Sequence, residues 1–170
     1  MSSHPFDKVP LSTGGALIFT PCPGTKGASL HDSLAQLKAA GAEAVITLMP
    51  IDEMVHNGVA DLPGVCRSTQ LEWFHFPIED DASPGDAFRQ SWEADKGRVF
   101  EILGRSVTVA IHCKGGSGRT GLMAAITLCE CGMQHDQILD RVKSLRPNAL
   151  KLAVHKDYLA QACEARHSNG

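Results

Sequence analysis

No apolar run in this 170-residue chain approaches the length of a bilayer span; the longest, residues 44–49 and 107–111, are strand-sized. Membrane insertion is therefore not expected. No stretch joins a charged start, an apolar middle and a small-residue cleavage site, so the expected address is cytoplasmic. Nor is there a dense block of lysine and arginine: 16 basic against 19 acidic side chains leave a net charge of -3, without the basic footprint needed to track a nucleic-acid backbone. Nucleic acid is excluded as a partner on that ground, and any anion must be met locally. Six cysteines are present but no C-x-x-C pair, and Cys129 and Cys131, two apart on an expected helix, point to different faces. No metal site is expected from them, and six cysteines in an intracellular chain of this size do not read as a disulfide framework. The nucleotide-loop pattern G-x-x-x-x-G-K-[ST] is missing too, and no cofactor is implied.

What is there is ordinary globular composition, 43% hydrophobic and 21% charged, enough to build one core without staples. One domain over residues 1–170, with its core at about 15–165 and loose ends at 1–12 and at the last few positions, is the expectation. Residues 16–19 read as a strand, 29–40 as a helix stopped by Gly41, and 43–49 as a buried strand. "PIDEMVHNG" and "PGVCRS" read as loop and turn, 71–78 as an aromatic strand, and 86–103 as a helix weakened around Gly97. "SVTVAIH" is β-branched and apolar on both faces, as a central strand should be. Three helical stretches follow: one apolar nearly all round and ending at Gly132, one amphipathic and ending before Pro147, and a last one over 149–166. Strands alternating with helices predict an α/β fold, a central mostly parallel sheet flanked by helices.

Between the central strand and the apolar helix lies "HCKGGSGRTG". Lys114, Gly115, Gly116, Ser117 and Gly118 form a loop rich enough in glycine to turn its N–H groups inward, over a helix N-terminus that favours negative charge. That is a phosphate-sized cradle, and its first residue is the thiol of Cys113 and its last the guanidinium of Arg119. Inward amides, helix dipole and Arg119 all favour a thiolate over a thiol. Arg119 offers a planar fork to two phosphoryl oxygens, a geometry lysine cannot reproduce, and Thr120 is placed to donate its hydroxyl to the sulfur when that sulfur must leave. A buried thiol beside a tight turn would explain the glycines but not the arginine.

This segment resembles the His-Cys-x5-Arg-[Ser/Thr] signature of the cysteine-dependent protein tyrosine and dual-specificity phosphatases. The nearest pattern is that of the cyclin-dependent-kinase-associated phosphatases, which resemble the chain over residues 15–159 through "PCPG", "LKAAGAEAVITL" and "FHFPIEDDASP". The resemblance implies a protein tyrosine phosphatase-like fold, attack by Cys113, a phosphocysteine intermediate and its hydrolysis without metal. A phosphoprotein substrate is implied with it, and a protein kinase is the candidate partner that the kinase-associated members suggest. His112 would tie its ring to nearby backbone.

A poor leaving group also needs a proton donor. "PIEDDASP" supplies Glu79, Asp80 and Asp81, and composition alone does not choose among them. Matching Pro77, Ile78, Ser83 and Pro84 to the family's Pro-Ile-x-Asp-Gly-x-Thr-Pro puts the acid on Asp80, with Asp81 in the glycine place as its competitor. Near the C-terminus, Lys151 and His155 occupy two family glutamine positions. The second glutamine helps to position water in related enzymes, so His155 reads either as a pH-sensitive substitute or as a surface side chain; Lys151 reads as rim charge or as a solvated lysine. Met49 stands where some members carry the cysteine that shields the nucleophile as a disulfide, and Cys113 is expected to be exposed and oxidisable.

The function expected is a phosphatase acting on phosphotyrosine, and on phosphoserine or phosphothreonine, in proteins. Two alternatives stand beside it: a phosphoinositide phosphatase, although Lys114 is the only lysine in a loop where lipid-directed relatives carry more charge, and a catalytically weak module that binds phosphopeptides. Sulfur transfer in the rhodanese manner leaves the aspartate loop unexplained.

Overall fold

The computed structural model describes residues 3–12 and 14–168; the outermost of the expected loose ends lie outside the described residues. Among these residues five strands, β1 (Asp7–Pro10), β2 (Ala16–Thr20), β3 (Ala42–Thr47), β4 (Glu72–His75) and β5 (Thr108–His112), form one sheet in the order β1-β2-β5-β3-β4. Every pairing is parallel except β1 with β2, and β5 is the central strand that its apolar, β-branched sequence predicts. Among the described residues seven helices flank the sheet: α1 (Leu30–Ala39), α2 (Ile51–His56), α3 (Leu62–Ser68), α4 (Asp86–Gly104), α5 (Gly118–Glu130), α6 (His135–Leu145) and α7 (Ala153–Ser168).

Strand alternation sorts the core into two layers. Leu17, Phe19, Ile46, Val109 and Ile111 face α4 to α7, whereas Ile18, Val45 and Ala110 face α1 to α3. The helix after β2 thus lies on one face and the helix before β5 on the other. Such a reversal opens a crevice at the carboxyl ends of parallel strands. The loops after β2, β3, β4 and β5 all emerge at that end.

Several local expectations are corrected. The stretches read as loop and turn are the short helices α2 and α3; six and seven residues are too few to display a helical period. The helix read as weakened at Gly97 is continuous from Asp86 to Gly104, because Phe88, Trp92, Val99, Ile102 and Leu103 bury one stripe along it. The expected strand 71–78 keeps only Glu72–His75, although Phe76 and Ile78 go on donating to the Thr47 and Leu48 carbonyls at 3.0 and 2.8 Å. The last helix starts at Ala153, after Leu150 has taken a left-handed conformation at φ 58°. Residues 4–12 are no loose end: β1 pairs with β2, and His4 is buried against the Thr20 hydroxyl.

Candidate active site

β5 ends in His112, whose buried ring is fixed at both nitrogens. Nδ1 lies 3.0 Å from the Cys113 carbonyl, which can only accept, so Nδ1 carries the proton. Nε2 then accepts from Thr47 Oγ1 at 2.7 Å, and Trp73 Nε1–H donates to the same hydroxyl at 2.8 Å. Burial pushes the His112 pKa down to about 4, against the opposing pull of its bond to the Cys113 carbonyl. The ring is a neutral strut between β5 and β3, which agrees with the backbone-tying place that the resemblance implies.

Cys113 is buried, at 3% exposure, which corrects the expectation of an exposed thiol: its sulfur points to the floor of the ring rather than to its rim. The Gly116 N–H donates to Sγ at 3.3 Å and Thr120 Oγ1–H donates at 3.1 Å, while Gly118 opens α5 beneath. Gly116 holds φ 79°, and a Cβ there would meet the Pro21 nitrogen and the Thr20 carbonyl carbon at 2.6 Å. No other residue fits that position without moving the loop. Lys114 and Gly115 are exposed at the rim and Ser117 is half-buried. Gly116, Gly118 and Gly121 spell G-x-G-x-x-G, yet Gly121 serves packing, since a Cβ there would collide with the Ala149 side chain. Dinucleotide loops carry no thiol at the centre of the ring.

Arg119 lies over this floor, 3% exposed, with both Nη atoms held by protein acceptors and no partner for Nε–H among the described residues. Nη1 and Nη2 donate to the two carboxylate oxygens of Glu53 at 2.8 and 2.7 Å, and Nη1 also donates to the Ile78 carbonyl at 2.9 Å. Asp80 Oδ1 is 3.6 Å from Nη2. Burial pulls the guanidinium pKa down, but the Glu53 bond, with Cys113 and Asp80 nearby, outweighs it and leaves the charge fixed.

Glu53, on α2, was not legible as a site residue: it lies 66 residues from Arg119 in sequence and belongs to no local pattern. Arg146 was missed for the same reason. Its Nε donates to the Gly116 carbonyl at 2.8 Å from behind the loop, Nη1 pairs with Asp7 at 2.7 Å, and the cation sits 5.6 Å from the Phe19 ring centre. β1 therefore reaches the loop through Asp7 and Arg146.

A cavity of about 170 Å³ opens over the loop, lined by Asp80, Asp81, Arg119, Lys151 and His155 among others. Asp81 holds φ 60°, the backbone of the glycine it replaces, in a turn closed by Ala82 N–H donating to the Glu79 carbonyl at 3.1 Å. Lys151 is exposed and donates to Asn148 Oδ1 at 3.0 Å. His155 is not a surface side chain: it is 2% exposed and its Nε2 lies 2.8 Å from the Ala82 carbonyl. Met49 and Cys22 are both buried, and burial, with the charges of Cys113 and Glu53, pushes the Cys22 thiol up to about 12. Among the described residues no group of three or more His, Cys, Asp or Glu is arranged to hold a metal ion, and no helix is long and apolar enough to cross a membrane.

A parallel sheet ending in a cysteine ring, an arginine clamp and a facing aspartate turn defines a phosphatase-type domain. The chain belongs to the family described as Swiss Army Knife protein, DSP-PTPase phosphatase domain, whose model matches residues 24–169. It is 30% identical over 108 residues to protein tyrosine phosphatase type IVA 2 of Mus musculus, a match covering 58% of this chain and 64% of that relative's length. In fold it is similar to a kinase associated phosphatase solved with its catalytic-site cysteine changed to serine, with a TM-score of 0.85, 20% identity, and 99% and 98% of the two chains covered. PTPMT1, solved in complex with PI(5)P, shares the fold at a TM-score of 0.71 and 12% identity, with 90% and 93% covered.

Proposed function

We propose that this chain, as a single domain, is a metal-independent phosphatase that hydrolyses phosphotyrosine, and also phosphoserine and phosphothreonine, in proteins. The observation that carries the reading is the convergence on Cys113 Sγ of two hydrogen-bond donors below a buried arginine and an aspartate 3.6 Å from that arginine. The Cys113 thiolate attacks phosphorus, the bond from phosphorus to the ester oxygen breaks, and Asp80 gives its proton to the departing oxygen. Arg119 and the inward amides of residues 114–118 hold the equatorial oxygens as charge spreads over them. Water then attacks the phosphocysteine, Asp80 takes its proton, and sulfur leaves as a thiolate received by the Gly116 N–H and the Thr120 hydroxyl. Asp80 is favoured over Asp81 because only Asp80 is within ion-pair range of Arg119, while Asp81 occupies the backbone turn.

The substrate class rests on the rim. Asp80 and Asp81 line the cavity against Arg119 and Lys151, a balance without the excess positive charge that a polyanionic inositol headgroup calls for. A protein kinase partner rests on the name of one structural neighbour alone. The test is phosphate release from matched phosphotyrosine, phosphothreonine and phosphoserine peptides in EDTA, with Cys113→Ser as the blank. Release in EDTA that the variant loses supports the reading. Release from phosphoinositides alone overturns its substrate class, and release that survives in Cys113→Ser overturns the mechanism.

A further inference from the structure

The turn that carries Asp80 is anchored at both ends by aromatic packing. Phe76, just before it, meets Phe88 and Trp92, just after it, at ring separations of 6.3 and 5.3 Å. Between these anchors the turn projects over the ring, where Arg119 meets Asp80 and a second side chain from elsewhere in the chain holds the far end of the turn. His155 on α7 places Nε2 2.8 Å from the Ala82 carbonyl, and since a carbonyl can only accept, Nε2 carries the proton and donates. Tyr158, one turn further along α7, packs edge-on against Phe88 at 6.2 Å and 89°, which holds this stretch of α7 against the start of α4. α7 and the aspartate turn are thus registered by two contacts, one apolar and one polar, on the same face of the helix.

We infer that His155 is a positioning residue for the general acid: it clamps the turn of residues 79–82 so that the Asp80 carboxyl faces Arg119 and the bound ester. The inference rests on the proposed role of Asp80. It also separates this chain from relatives with glutamine at that position, because the Nε2–H of His155 is committed to the turn rather than to a water. The geometry to be held is narrow. Ala82 closes the turn on Glu79, Asp81 sits at its left-handed corner, and a shift of the Ala82 carbonyl carries Asp80 with it.

The experiment compares an aryl phosphate whose leaving phenol is strongly acidic with a phosphoserine peptide, which needs its leaving oxygen protonated. His155→Ala should lower kcat on the peptide by about 10- to 100-fold, the cost of misplacing a reacting group by an ångström or less, and change the acidic aryl ester by less than about threefold. His155→Gln, which keeps an N–H donor, should restore most of the loss. In an Asp80→Ala background His155→Ala should cost nothing further. Equal slowing of both substrates, or full additivity with Asp80→Ala, overturns the clamp while leaving the phosphatase reading intact; absence of Cys113-dependent turnover in the unaltered protein defeats that reading instead. Hydrogen exchange tests the clamp without turnover: faster exchange over residues 79–84 in His155→Ala, with α5 unchanged and His155→Gln protected, supports it. Unchanged exchange there overturns it.

Discussion

Arg119 keeps a full positive charge almost out of solvent because Glu53 meets it with both oxygens, and a buried cation deprived of its partner is costly. Glu53→Ala should therefore destabilise the fold by about 3 kcal/mol in urea unfolding, and lower kcat more than it raises KM because the fork loses its aim. The two adjacent aspartates divide by backbone. Asp80→Ala should slow a phosphoserine peptide by about 100-fold or more and spare an ester with an acidic leaving phenol, since only the former needs the proton. Asp81→Gly should leave both rates unchanged and raise stability by about 1 kcal/mol, by relieving a left-handed backbone at φ 60°. If Asp81→Ala shows the leaving-group effect and Asp80→Ala does not, the acid is Asp81. Sequence matching leads to Asp80 because glycine at the next family position marks a turn, and the backbone keeps that turn with aspartate in place.

Among the elements, the loop between β5 and α5 was the most legible, because nucleophile, glycines, arginine and threonine lie within eight residues and each has a local reason. What braces that loop was not legible. Glu53 arrives from α2, Arg146 from just after α6, and Asp7 from β1, each placed by the sheet order rather than by any spacing along the chain. β1 itself, "DKVP", buries only Val9 and has no alternation to read; its strand character comes from pairing with β2. The helices α2 and α3 are shorter than two turns, so their signal stays below that of the turn residues around them. The brace and the loop are open to test. Gly116→Ala puts a methyl into the backbone of residues 20 and 21 and turns the amide away from sulfur, so turnover should fall by about 100-fold or more, with vanadate binding lost in parallel. Gly121→Ala should instead cost about 1–3 kcal/mol of stability through overpacking against Ala149, read by thermal or urea unfolding.

At the scale of the whole molecule, two buried histidines tie stability to pH. His112 has its pKa pushed down to about 4 and His4 is lowered in the same sense, both chiefly by burial. The unfolded chain protonates a histidine near 6.5 while the folded one resists, so the unfolded state binds more protons across the interval between the two values. Their contribution is fully present above about pH 6.5 and fades as pH falls toward 4, with a loss of up to about 3 kcal/mol from His112. Urea unfolding at pH 7, 5.5 and 4.5 should show that decline, and a flat profile over this range would contradict it. The α/β class is readable in the alternation of strand and helix patterns along the chain. The division of the core between the two faces of the sheet, and the meeting of four loops at one end of it, come only with the strand order.

The central claim is that Cys113 carries the phosphoryl group between two half-reactions. The most direct measurement is rapid acid quench of the protein turning over a phosphotyrosine peptide, followed by mass spectrometry of the segment containing Cys113. A phosphate adduct on that segment, formed within one turnover and missing in Cys113→Ser, is the predicted result. Turnover with no adduct at Cys113, and with Cys113→Ser still active, would contradict the account.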